Sequence, residues 1–166
     1  MADGLTVRRL KAGDAEIWRA IRLQALQDAP EAFGQTYEHA VAQPLETFAK
    51  TVSSASPVMA AFADGKAIGT AGIYTIDGPK TAHRGMLWGM YVAPEFRGQR
   101  VGDRLVEAAI GAVGPEIGQV HLRVVTENVA AYKLYRRLGF VAYGIEPRAL
   151  SYKGRFYDET LMVRML

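Results

Sequence analysis

At 166 residues with 49% hydrophobic side chains, the chain can bury one sizeable core but is short for two domains of ordinary size, so a single domain over 1–166 is expected. Twenty Lys and Arg stand against 17 acids for a net charge of +3, with no basic stripe interleaved with aromatics, which argues against nucleic acid as a partner and fits a small anionic ligand. With no cysteine there is no disulfide, Cys-ligated zinc or catalytic thiol. No apolar run approaches the ~18 residues of a membrane span and MADGLTVRRLKAGD carries no apolar leader region, so a cytoplasmic protein with no membrane partner is expected.

Leu5 to Leu10 alternates apolar and polar residues as a half-buried strand does, and Gly13-Asp14 offers a stop followed by a helix cap. Ile17, Ile21 and Ala25 then recur four apart beside Trp18, the stripe of a core-facing helix that Pro30 ends. PEAFGQTYEHAVAQP, from Pro30 to Pro44, is too polar and too punctuated to predict an element. A second helix is expected over Leu45 to Ser53. After Pro57 the run VMAAFA reads as a strand, Asp64-Gly65 as a hairpin turn, and Lys66 to Ile76 as the partner strand. Asp77-Gly78-Pro79 breaks that strand, and Gly85 to Val92 supplies the third member of an antiparallel meander.

From Gly102 onward Leu105, Ala108, Ala109 and Ala112 fall three or four apart, so a helix starts at about Arg100. Its first turn has N–H groups with no intrahelical partner at the positive end of the macrodipole, and RGQRVG therefore presents donors and cations to an anion such as a phosphate. The turn is neither a Walker loop, since no Gly-Lys-Ser/Thr follows, nor a dinucleotide fingerprint, since Gly98 and Gly102 stand alone. Val120 to Val125 then reads as a buried strand, Asn128 as the cap of a helix to Leu138, Phe140 to Tyr143 as the start of a strand, and Arg155 to Met165 as the last strand. The order β-α-α-β-β-β-α-β-α-β-β makes a mixed α/β sheet.

The turn and TENVAAYKLYRRLGF together resemble the GCN5-related N-acetyltransferase (GNAT) superfamily. Its pattern is a strand ending in hydrophobic-x-Val, then Arg/Gln-x-x-Gly-x-Gly/Ala, and later Asn-x-x-Ala-x-x-x-Tyr with a closing Gly-Phe. Met90, Val92, Arg97, Gly102, Asn128, Ala131, Tyr135, Gly139 and Phe140 match it in order, while Arg100 stands where a Gly is usual. A residue entering a helix needs no positive φ, so Arg100 is read as an added phosphate contact rather than a left-handed residue. The first 55 residues match only in their order of elements.

The resemblance implies a mostly antiparallel mixed sheet and acetyl transfer from acetyl-coenzyme A to a primary amine by direct attack, with no covalent enzyme intermediate and no metal. Phosphates would lie on Arg97, Gly98, Gln99, Arg100, Val101, Gly102 and Asp103, with the backbone of Gly102 approaching them. Pantetheine would run along Met90, Tyr91 and Val92, and the N–H of Met90 or Val92 could stabilise an oxyanion. Asn128 and Tyr135 are seven apart and share a helix face about 10 Å long. In the resemblance Asn128 bonds pantetheine and Tyr135 protonates the departing thiolate. A base for the acceptor amine is sought in Glu38, Asp158 or Glu159, with Glu38 and Glu159 put forward, and Phe33, Tyr37 and Trp88 are expected to line the acceptor opening. His39, His83 and His121 show no metal spacing. The acceptor, a small amine or a peptide or protein amine, stays open, as do a monomer or homodimer and a non-catalytic acyl-coenzyme A sensor.

Overall fold

Asp64 and Gly65 both take positive φ, 48° and 76°, as a tight hairpin with the right-handed twist of its strands requires. They join strand β2 (Val58–Ala63) to β3 (Lys66–Thr75). The computed structural model describes residues 4–166, and Met1 to Asp3 of the N-terminal stretch lie outside the described residues. The remaining strands are β1 (Thr6–Arg9), β4 (Arg84–Val92), β5 (Gln119–Val125), β6 (Val141–Tyr152) and β7 (Arg155–Met165). The helices are α1 (Ala15–Asp28), α2 (Tyr37–Val41), α3 (Leu45–Ser53), α4 (Val101–Gly111) and α5 (Val129–Arg137).

The seven strands form one sheet in the order β1-β2-β3-β4-β5-β7-β6, antiparallel at every step except the parallel pair β4–β5. The class is mixed α/β and mostly antiparallel, as expected, with a helix more than the sequence predicts. That helix is α2, a single short turn without an apolar repeat, held by Thr36 Oγ1 accepting from the His39 N–H at 3.2 Å.

Each face of the sheet has its own core. On one, Leu105, Val106 and Ala109 of α4 and Tyr135 of α5 pack with Ile68, Ile73, Leu122 and Met162. On the other, Trp18, Ile21 and Ala25 of α1 and Phe48 and Val52 of α3 pack with Val58, Ala60, Phe62 and Tyr91. Leu105 is fully buried, and truncating it to Ala would cost about 2–5 kcal/mol. Asp14 precedes α1 as expected but makes no side-chain cap. Its carboxylate instead accepts from Arg8 at 2.8 and 2.9 Å and from the Lys11 N–H at 2.8 Å, because a guanidinium is the stronger donor. Among the described residues no helix is long and apolar enough to cross a membrane.

Candidate active site

The parallel pairing of β4 with β5 covers only Arg84–Met86 against Gln119–His121, after which the strands part and leave a cleft of about 900 Å³. A bulge in β4 shapes the opened stretch. Gly72 pairs with Trp88 but Thr70 with Tyr91, so β4 takes one residue more than β3, and Gly89 absorbs the bend at φ 63°. Side chains take two carbonyls of this stretch: Thr70 Oγ1 donates to the Gly89 carbonyl and Arg97 Nε to that of Val92, both at 2.9 Å. Met90, Tyr91 and Val92 line the cleft from β4, and Val125 from β5.

At one end lies the N-terminus of α4, with Arg97, Gly98, Arg100, Val101, Gly102 and Asp103 in the lining. Gly98 has φ 76°, and Arg100, the N-cap residue, has φ 60° and ψ 21° without a side-chain cap. The expectation that Arg100 needs no positive φ is corrected: it is left-handed, a conformation that costs a side-chain-bearing residue about 1–2 kcal/mol. Gly98 and Arg100 are thus both left-handed in the turn that opens α4, whose first N–H groups have no intrahelical partner, an arrangement suited to an anion. Gly102 stays in this lining, and a Cβ there would lie 2.6 Å from Leu134 Cδ1 and 2.8 Å from Met90 Cε, so the missing side chain also lets α4 sit close against α5 and β4. Gln99 is not among the cleft residues, and its amide donates to the Glu95 carbonyl at 3.2 Å.

Helix α5 contributes Asn128, Ala131, Leu134 and Tyr135 to the lining. Asn128 Oδ1 accepts from the Ala131 N–H at 3.2 Å, the N-cap bond read from the sequence. Tyr135 is buried edge-on to Phe140, with ring centroids 5.9 Å apart, and burial pushes its phenol well above the ordinary value. It therefore stays protonated at neutral pH. Beyond it Arg137 also lines the cleft, bound to Asp103, whose carboxyl this bond holds below the usual range.

The opposite wall is built by the end of α1 and the turn after it: Asp28, Glu31, Ala32 and Phe33. Tyr91 is buried, and its hydroxyl donates to Asp28 and accepts from Gln24. Arg155 and Tyr157 of β7 complete this wall, Arg155 pairing with Glu127 at 2.5 Å.

Other expected residues lie elsewhere. Tyr37 faces a separate depression with Gln24, Gln27 and Leu45, and Glu38, exposed on α2, is not part of the cleft lining, because the α2 turn leads away from Phe33. Trp88 is not in the lining but packs edge-on to Trp18 at 5.7 Å with its indole over Gly72. Asp158 accepts from the Arg148 N–H at 2.8 Å. Glu159 is buried on β7 opposite Val125, and burial raises its carboxyl, Arg123 opposing and Glu146 reinforcing the shift. Among the described residues no three His, Asp or Glu gather to hold a metal.

Sequence reasoning missed Asp28, Arg137, Arg155 and Tyr157 in the lining, and Arg22 beside it. Arg22 is stacked by Trp18, Phe33 and Trp88 at 5.9, 5.0 and 5.8 Å, and burial lowers its guanidinium to about 10. Its hydrogen bonds run to Gln35 Oε1 at 3.2 Å, so the rings supply by cation–π attraction what a carboxylate otherwise would.

A sheet that opens between two parallel neighbours, with the start of a helix at the gap, makes a cleft suited to a long ligand with an anionic end. Residues 18–140 match the model of the acetyltransferase (GNAT) family, and the chain belongs to that family. It is 29% identical over 150 residues to an aminoglycoside N(6')-acetyltransferase type 1 of Stenotrophomonas maltophilia, covering 84% of this chain and 88% of the relative. Among solved structures, an acetyltransferase of the GNAT family from Streptococcus pneumoniae superposes with TM-score 0.83 at 24% identity, over 98% of this chain and 99% of the other. A putative acetyltransferase from Salmonella typhimurium, solved with its cofactor acetyl-CoA, gives TM-score 0.79 at 21% identity over 99% and 95%.

Proposed function

We propose that the chain transfers acetyl from acetyl-coenzyme A to a primary amine by direct attack within a ternary complex. The observation that carries this is the parting of β4 from β5 past Met86, which leaves one edge of β4 without a strand partner between an anion-binding turn and a buried phenol. An extended acyl carrier with phosphates at one end fits that arrangement: the phosphates on the first turn of α4 with Arg97, Arg100 and Arg137, the arm along Met90 to Val92 and past Asn128. The relatives named as acetyltransferases support the same reading.

In this reading the acyl carrier supplies the activated thioester, and the protein positions and moves protons. N–H groups of the opened β4 edge face the carbonyl where negative charge develops. The amine attacks the carbonyl carbon, the C–S bond breaks, and Tyr135 gives its proton to the thiolate and regains one from the amine nitrogen. A buried phenol is a weak acid toward a thiol of pKa ~8.5, so donation accompanies C–S cleavage and does not precede it. Glu159 is the carboxyl of raised proton affinity nearest in the sheet to the cleft residue Val125, and in this reading it relays a proton from the amine through water.

The test is incubation with acetyl-coenzyme A and a panel of amines while thiol release is followed. Amine-dependent release supports the enzyme. Tight coenzyme A binding without turnover on any amine would make the chain an acyl-coenzyme A sensor and defeat the proposal.

A further inference from the structure

The carboxylate of Asp28, the last residue of α1, is held in the cleft wall by a side chain from another element: the Tyr91 hydroxyl of β4 donates to Oδ2, and Gln24 Nε2 donates to that hydroxyl at 3.1 Å. Tyr91 is only 4% exposed, so this donor holds its place beneath the exposed carboxylate of Asp28. Asp28 forms no ion pair among the described residues, although five other acids of the chain pair with Arg and one with Lys. Of the cations of the lining, Arg97 donates to the Val92 carbonyl and lies close enough to act on the Tyr91 hydroxyl without pairing with Asp28, Arg100 and Arg137 flank Asp103, and Arg155 is tied to Glu127.

Tyr91 also fixes which side of the sheet this wall serves. Its ring packs into the α1 core, whereas its neighbours Met90 and Val92 pack toward α4 and α5. The cleft is thus bounded on the α4 side by the anion-binding turn and on the α1 side by a hydrogen-bonded carboxylate. Oδ2 accepts from the phenol and leaves Oδ1 open to a second donor, which suits a counter-ion.

The geometry points to Asp28, positioned by Tyr91, as the counter-ion for a second positive charge on the acceptor, which makes the acceptor class an amine of two or more charges. This rests on the amine-acetyltransferase reading but is measured apart from it. The probes are 1,5-diaminopentane and pentylamine, of equal chain length and differing by one ammonium, titrated by calorimetry into the protein saturated with coenzyme A. The expected result is that the parent binds the diamine at least about tenfold more tightly than the monoamine, and that Asp28→Asn removes this preference while coenzyme A affinity stays unchanged. Tyr91→Phe, which keeps the ring and loses the donor, should reduce the preference in the same direction by less.

The inference is overturned if the parent shows no preference for the diamine, or if Asp28→Asn retains it. Where turnover is observed, Asp28→Asn should raise KM for the diamine about tenfold with kcat little changed, a split that a merely structural role would not produce. Failure of all amines to turn over, with the binding preference present in the parent and absent in Asp28→Asn, would sink the acetyltransferase reading and leave this one standing.

Discussion

The guanidinium of Arg137 grips both carboxylate oxygens of Asp103, Nε to Oδ1 at 2.9 Å and Nη2 to Oδ2 at 2.8 Å, tying the last turn of α5 to the first turn of α4. An acid in that first turn suits the helix dipole but repels an anion bound there, and Arg137 cancels the repulsion. Arg137→Ala should therefore weaken coenzyme A binding by about tenfold or more, while Asp103→Asn should leave it unchanged or tighten it. Calorimetry on both variants decides: equal losses in the two would mean that the pair serves only to join the helices.

Gly102 and Arg100 should separate stability from binding. Gly102→Ala sets a methyl against the far ends of Leu134 and Met90, which can move aside, and gains helix propensity, so stability should change by no more than about 1 kcal/mol. Arg100→Gly removes left-handed strain of about 1–2 kcal/mol and adds unfolded-state freedom of about 0.5–1 kcal/mol, so stability should hold or rise slightly. Its coenzyme A affinity should fall with the lost cation. Thermal melts paired with titrations test this, and an Arg100→Gly protein that melts several degrees lower would contradict the strain assignment.

What the sequence made legible was local. VMAAFA is bounded by Pro57 and by Asp64-Gly65, and β2 follows those signals, while β7 keeps the expected bounds Arg155 to Met165. Asn128 caps α5 because its partner N–H is three residues away. What stayed hidden depends on contacts distant in the chain. Arg137 meets Asp103 and Tyr91 meets Asp28 only after the sheet has formed, so neither pair leaves a spacing to read. Tyr37 stands close to Phe33 in sequence, but the α2 turn carries it to another surface. Trp88 sits on the strand leading into the cleft, yet the alternation of side chains and the bulge at Gly89 send its indole toward Trp18.

Asp14 makes the fold sensitive to acid. Its two bonds from Arg8, with the Lys11 N–H, lower its carboxyl to about 2, against about 3.9 in an unfolded chain. A depressed acid stabilises the fold above its unfolded pKa, and the contribution is lost as pH falls through the folded one. Because Arg8 is half exposed, solvent screening reduces the contribution to about 1 kcal/mol. Asp14→Asn should thus lower denaturant stability by about that amount at pH 6, with the gap to the parent closing between about pH 4 and 2. A gap that stays constant across this window would assign the loss to the hydrogen bond to Lys11 and not to charge.

Tyr135 is asked to do with its hydroxyl what its ring cannot. The ring packs against Phe140 in the α4–α5 core, so Tyr135→Phe keeps that contact and should preserve the fold and coenzyme A affinity. If the hydroxyl protonates the thiolate, kcat should fall by about 10²–10⁴-fold under conditions where chemistry limits turnover. Burial pushes the phenol above its ordinary pKa of 10, so its ionisation lies beyond the alkaline end of a usable assay. The loss should accordingly lower the whole pH–rate profile by one factor between about pH 6 and 9, without moving its limbs. A Tyr135→Phe enzyme with the parent's kcat across that range would make water the proton donor and reduce Tyr135 to a packing residue.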